Sequence, residues 1–210
     1  MTWVGNNLDL IWQRTLSHLV LALPAIAVSF LIALVIGGVA ARQRWLRHPL
    51  VTGSALMYAI PSLPLFVILP ALIGTGVRDA LNVVVALTLY GLALMVPAAV
   101  DALRTLEKAP IDAADALGYR RVARFLQVDL PLAGPTLLAG LRVTSVSTVS
   151  LVTVGAVLGV PSLGMLFTDG FQRGIVAEIL AGLVMTVVVA LVLDVAWVLL
   201  GRLLMPWRRA

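Results

Sequence analysis

Three ionisable side chains stand inside long apolar runs: Arg142, Glu178 and Asp194. A charge in such a run is costly, so it is paired, turned toward water, or kept for ion or proton handling. Arg142 stands about nine residues into its run and Asp194 about eight before Arg202, so at ~1.5 Å per residue both lie ~12–14 Å in from the same end. That matched depth favours a structural ion pair between Arg142 and Asp194 over a substrate site. Glu178, near the opposite end of the last run, reads as solvated. The hydroxyl-rich stretch VTSVSTVSLVTVG offers Ser145 and Thr148 to a polar path, together with Pro61 and Ser62 in an earlier run. Such residues also serve as packing glue between membrane helices, and packing is the preferred reading for most of them. Tyr58, Tyr90, Phe66 and Phe30 are too scattered to be called an aromatic cage for a cation. His18 and His48 fall near opposite ends of apolar runs, and no carboxylate pair, nucleophile elbow or metal-ligand spacing occurs. With no cysteine there is neither a disulfide framework nor a thiolate metal site. The single lysine, Lys108, sits in EKAP, and no G-x-x-x-x-G-K-[ST] phosphate loop exists. No catalytic residue and no metal site are expected.

The segment 101–131, DALRTLEKAPIDAADALGYRRVARFLQVDLP, is too patterned for a simple connection. Pro110 suits the first turn of a helix. Asp112 and Asp115 would then lie near its positive N-terminus. Ala113 and Ala114 are small enough to let another surface approach, and Gly118 can end or bend the helix. A second short helix follows, with Arg120, Arg121 and Arg124 polar and Val122, Phe125 and Leu126 apolar; Pro131 stops it and starts the next run.

These residues must be carried by apolar elements. The chain of 210 residues is 61% hydrophobic and 12% charged, with a mean hydropathy of +1.06. A soluble domain carries about 25% charged residues, so lipid is the natural solvent for the surplus. Spans need ~20 apolar residues, and the runs 19–41, 49–77, 80–100, 132–160 and 175–200 qualify. Five spans are expected, four if one run is re-entrant, six if the N-terminal segment also inserts. The run 49–77 holds Pro61, Pro64 and Pro70, which predict a kinked or broken helix, lining a pathway or serving packing alone. Residues 8–19 are amphipathic, with Leu8, Ile11, Trp12, Leu16 and Leu19 near helical spacing. They read as a surface helix within an interfacial segment 1–18, with Trp3 and Trp12 as belt residues; 1–7 read equally as a disordered tail. No basic leader region or small-residue cleavage site precedes the first run, so no cleaved signal peptide is expected. The net charge of +5 does not mark a nucleic-acid binder, because the basic residues form short clusters between apolar runs. Eleven of them lie after the first and third spans and in the C-terminal tail, against Arg14, Arg78 and Arg173 on the other side. The positive-inside rule then places the N-terminus outside and the 101–131 connection and C-terminus in the cytoplasm.

The spacing Asp112-Ala113-Ala114, Gly118, Val128, Leu130-Pro131 resembles the cytoplasmic loop of bacterial ABC importer permeases, whose pattern is Glu-Ala-Ala, three residues, Gly, nine residues, Ile, one residue, Leu-Pro. Asp112 for Glu and Val128 for Ile keep charge or shape. Over nearly the whole chain, TLSHL, AIPSLPL, and LPLAGPTLLAGLRVTS through PSLG are similar to the permeases for osmoprotectants such as glycine betaine, choline and carnitine. PSLG, at Pro161 to Gly164, stands where many relatives have GGLG. The resemblance implies an all-α, type I ABC importer permease: one domain over 1–210, with about five transmembrane helices and a coupling-helix loop at 101–131. In that loop Asp112, Ala113, Ala114, Asp115, Gly118, Arg120, Arg121, Leu130 and Pro131 would seat in a groove of a separate cytoplasmic ATP-binding subunit. ATP and Mg would be bound there and no cofactor here. A second permease copy or paralogue, an extracytoplasmic substrate-binding protein and a place in the bacterial cytoplasmic membrane are implied as well. Permeation of another small solute such as an amino acid is the nearest alternative. A secondary transporter is further off, since no internal repeat is found.

Overall fold

A computed structural model describes residues 2–209, and among them every regular element is helical. The helices are α1 (Thr2–Asn6), α2 (Leu8–Arg42), α3 (Arg44–Tyr58), α4 (Ser62–Ile73), α5 (Ala80–Arg104), α6 (Lys108–Ala116), α7 (Arg121–Arg124), α8 (Leu130–Val152), α9 (Gly164–Arg173) and α10 (Val176–Leu204). A π-helical turn, Phe125–Asp129, joins α7 to α8, and a 3₁₀ segment, Thr153–Leu158, follows α8.

Small residues set the packing. A Cβ on Gly91 would stand 2.7 Å from that of Ser29, and one on Gly37 would stand 2.7 Å from that of Ala99. Both pairs are separated by the same number of residues, so α2 and α5 run parallel, in register, along the stripe Ala22, Ala25, Ser29, Ala33, Gly37 and Ala40. Against α5 the close approaches are Gly140 of α8 with Ala98 and, in the 3₁₀ segment that continues α8, Gly155 with Val83, an antiparallel pairing. Arg142 with Asp194 and Gly201 with Leu138 make α8 and α10 antiparallel too. Close backbone approach over small residues is the usual means of helix association where lipid removes the hydrophobic drive.

Because α2 and α5 are parallel, the chain between them returns across the full thickness. It does so as α3 and α4, bent by 106° at 59–61. Pro61 disfavours a helical Ile60, and Pro64 has no N–H to give the Ile60 carbonyl four residues back. The Tyr90 hydroxyl donates to that carbonyl at 2.6 Å instead. The expected break in the second span is present. Among the described residues four helices, α2, α5, the α7–α8 run and α10, are long and apolar enough to cross, and the bent α3–α4 pair, which returns the chain between parallel α2 and α5, makes the fifth.

Three local expectations change. Residues 8–19 do not form a separate surface helix: they run without a break into the first span, giving α2 35 residues. Residues 2–6 are helical rather than a disordered tail, and Asn7 closes the turn on the Trp3 carbonyl at 2.7 Å. Pro131 does not stop the short helix before it, since α7 passes into α8 through the π turn. There Leu130 N–H donates five residues back to Phe125, the wider loop relieving the proline ring against the preceding turn.

Beyond Gly159 (φ 80°) the chain folds back as α9 and turns again at Gly174 (φ 68°). Gly164 has no room for a side chain over Thr153 and Ala156. PSLG thus seats α9 tightly, with Leu163 and Leu166 buried. The long face of α10 stays almost wholly exposed and apolar.

Candidate functional site

The 101–131 connection gathers at the end where α2 finishes. After α5 the chain turns at Thr105, and α6 begins at Lys108 behind an extended Glu107. This start precedes Pro110, so Asp112 and Asp115 miss the first turn and the helix dipole does not hold them. Asp115 sits instead near the C-terminal end, where Arg124 donates to both its carboxylate oxygens at 2.8 and 2.6 Å. α6 ends in a left-handed residue, Gly118 (φ 80°), with Tyr119 N–H donating to the Ala114 carbonyl at 3.2 Å. Only glycine takes that conformation without strain.

The short helix presents two faces. Ala114 is buried against the chain, while Asp112, Ala113, Leu117, Arg120 and Arg121 are exposed. Leu117, just past the end of α6, is 79% exposed. Behind this face lies a network that the sequence reading missed. Arg124 stands 3.5 Å from Asp129, Arg42 3.9 Å from the same carboxylate, and the Arg42 guanidinium lies 5.9 Å from the Phe125 ring centre. Asp129 is buried where α8 begins, beside Leu130 and Pro131. α6 is therefore stapled to α7, and through Asp129 to α2 and α8. The alternation VDLP carried the only local signal for Asp129: an acid next to the apolar start of a span.

The remaining candidates fall elsewhere. Arg142 and Asp194 form a two-pronged pair at 2.6 and 2.8 Å joining α8 to α10. Glu178 is not solvated: it is fully buried, and Arg173 Nη2 donates to both its oxygens at 2.6 and 2.7 Å. The turn at Gly174 folds Arg173 back over α10, which linear distance along the chain cannot reveal. Pro61 is exposed at the helix break and Ser62 half-buried. Ser145 and Thr148 are 1% and 2% exposed. They point into the chain's own core and share no open surface with Pro61, because the hydroxyl face of α8 packs inward. His18 is buried, its Nε2 3.0 Å from the Val149 carbonyl, tying α2 to α8. Tyr58 and Tyr90, scattered in sequence, meet edge to face at 5.9 Å beside the break. Phe66 is buried apart from an open surface.

Residues 29–210 match the family described as binding-protein-dependent transport system inner membrane component. The chain is 30% identical over 197 residues to the osmoprotectant import permease protein OsmW of Salmonella typhimurium, covering 92% of this chain and 90% of that protein. It is 25% identical over 209 residues to the glycine betaine/carnitine/choline transport system permease protein OpuCD of Bacillus subtilis, covering 99% of this chain and 90% of the relative. The fold is similar to a chain of the MetNI methionine ABC transporter in an inward-facing conformation, with a TM-score of 0.81 over 94% of this chain and 97% of that one, at 20% identity.

Proposed function

The chain belongs to the binding-protein-dependent transport system inner membrane components, as the multi-pass permease subunit of an ABC importer, and from that premise we propose that it carries quaternary-amine osmoprotectants of the glycine betaine, choline or carnitine type. The observation that carries the mechanism is the stapled α6, with Ala113 and Leu117 turned outward and Gly118 closing the helix. A short rigid helix with a small-residue face fits a groove on a separate subunit. With no phosphate loop in this sequence, ATP and Mg belong to that subunit. Closure of two such ATPases pushes on α6, and the Asp115–Arg124–Asp129–Arg42 chain passes the push to α2 and α8.

The basic-residue count supports a cytoplasmic Arg42 end, an external N-terminus and a cytoplasmic C-terminus; the side chains of Arg208 and Arg209, which enter that count, lie outside the described residues. Five helices are too few to enclose an alternating pathway, so a second permease copy or paralogue completes it, and an extracytoplasmic binding protein delivers the solute. Pro61 and Ser62 at the helix break, with Tyr58 beside them, are the part of this chain best suited to line the path. The substrate class rests on the names of the relatives; the likeness to MetNI supports the fold alone. Reconstitution with its ATPase and binding protein in vesicles tests the reading. ATP-driven uptake of at least one of glycine betaine, choline or carnitine is expected. Uptake of methionine with none of the three would overturn the substrate class.

A further inference from the structure

A groove of about 1060 Å³ runs along the flank of α2 toward its Arg42 end. One wall is the stripe Leu31, Leu34, Val35, Gly38, Val39 and Arg42, successive positions on a single helix face. From Leu31 to Arg42 this face rises ~17 Å at ~1.5 Å per residue, close to half of the ~30 Å hydrocarbon layer. The facing wall is Val122, Phe125 and Leu126, from α7 and the π turn. Leu31, Val35, Val122 and Leu126 are 61, 69, 71 and 56% exposed, so the groove opens sideways. Its charges gather at one end only. There Arg42, Arg121 and Arg124 face Asp115, with Asp129 just behind. Three cations against two carboxylates leave one positive charge; Arg42, 3.9 Å from Asp129, still has 46% of its side chain exposed, and Arg121 is exposed.

We infer that this groove binds an anionic glycerophospholipid, its phosphate between Arg42 and Arg121 and one acyl chain along the Leu31–Val39 stripe. A second apolar cleft, of about 470 Å³, shares Leu31, Leu34 and Leu130 with the first and continues between α2, α8 and α10; it takes the other chain. The chemistry favours a lipid because the groove is apolar for the depth of one leaflet and cationic only at the membrane edge, and a phosphodiester supplies the single balancing negative charge. A soluble subunit cannot reach Leu31 near the middle of the bilayer. The inference rests on the membrane-spanning architecture and is independent of the solute carried. One wall is the π turn that joins α7 to α8, so an occupied groove braces the connection between α6 and the span that follows it.

The chain has no cysteine, which makes a single probe site unambiguous. Val35→Cys, labelled with a benzophenone, is incorporated with the assembled importer into vesicles holding equal phosphatidylglycerol and phosphatidylcholine, and irradiated. Preferential labelling of phosphatidylglycerol is expected. Arg42→Gln and Arg121→Gln should each lower that yield about fivefold, the weight of one basic residue near an anionic surface. Val39→Trp, which fills the groove and leaves every charge in place, should lower it too and serves if the charge variants fail to assemble. Equal labelling of the two lipids, a yield unchanged by the charge variants or by Val39→Trp, or an adduct with a second permease copy instead of lipid would overturn the proposal.

Discussion

At the scale of single residues, polar groups freed or stranded inside the bundle decide which side chains matter. The Ile60 carbonyl has no helical donor because Pro64 stands four residues on, and the Tyr90 hydroxyl takes that place. Ile60 itself is 43% exposed, so Tyr90→Phe should cost only the net worth of one hydrogen bond, about 0.5–1.5 kcal/mol. Thermal unfolding in detergent measures it, and Tyr58→Phe, on a half-exposed ring, is the control expected to change little. The Arg142–Asp194 pair is a second case. Removing either partner strands a charge on a helix surrounded by apolar side chains. Arg142→Ala and Asp194→Ala should each reduce the amount of assembled permease, and Arg142→Asp with Asp194→Arg should recover part of it. Were the two charges independent, the double swap would be the worst of the three. Matched depth along two apolar runs was enough to bring this pair forward from sequence. The Glu178–Arg173 pair was not legible, because the turn at Gly174 reverses the chain between them, and the Tyr58–Tyr90 contact depends on a break whose angle no residue pattern specifies.

At the scale of elements, the helical organisation of the 101–131 loop was the most legible part, since its spacing is fixed by a short helix, a glycine stop and the start of a span. What the pattern could not supply was the helix start. Lys108 and Ala109 already belong to α6, so Asp115 is placed for Arg124 and not for the dipole. The N-terminal half of α2 misled for a different reason. Its periodicity is real, but Leu8, Trp12 and Leu16 face outward while Ile11, Thr15 and His18 face the bundle. In lipid an apolar stripe can be the solvent side, so amphipathicity alone does not separate a surface helix from the end of a span. Gly118 tests the loop's geometry. A side chain there has open space around it but must adopt φ 80°, which β-branched residues avoid and asparagine tolerates. Gly118→Val should abolish ATP-driven uptake while the permease still reaches the membrane, and Gly118→Asn should retain most of it. Equal uptake by both variants would mean that the left-handed stop is dispensable. Ala114→Glu forces a carboxylate into the buried face of α6 and should uncouple ATP hydrolysis from uptake, read as hydrolysis continuing while transport is lost.

At the scale of the whole molecule, the parity of crossings follows from one geometric fact, the parallel register of α2 and α5 through Ser29–Gly91 and Gly37–Ala99. If the proline-broken segment merely dipped into the membrane and returned, α5 would have to start where α2 ends, and the two helices would be antiparallel. Register therefore makes α3–α4 a true crossing despite its 106° bend. It also puts the Thr75–Asn82 contact at one end of the bundle and the Arg42–Asp129 contact at the other. Basic residues add the sign: Arg42, Arg44 and Arg47 share an end with Arg120, Arg121 and Arg124. Only Arg14, Arg78 and Arg173 were counted at the opposite side. Reporter fusions at Gly76 and Arg121 should accordingly report opposite compartments, with Arg121 cytoplasmic. A cysteine introduced at Gly76 should be labelled from outside intact cells by a membrane-impermeant maleimide, and one at Arg121 only after permeabilisation, with no native cysteine to confuse the readout. Both sites on one side would contradict the parallel packing itself. Opposite sides in the reverse sense would leave the bundle intact and overturn only the orientation drawn from charge, moving α6 away from any cytoplasmic ATPase.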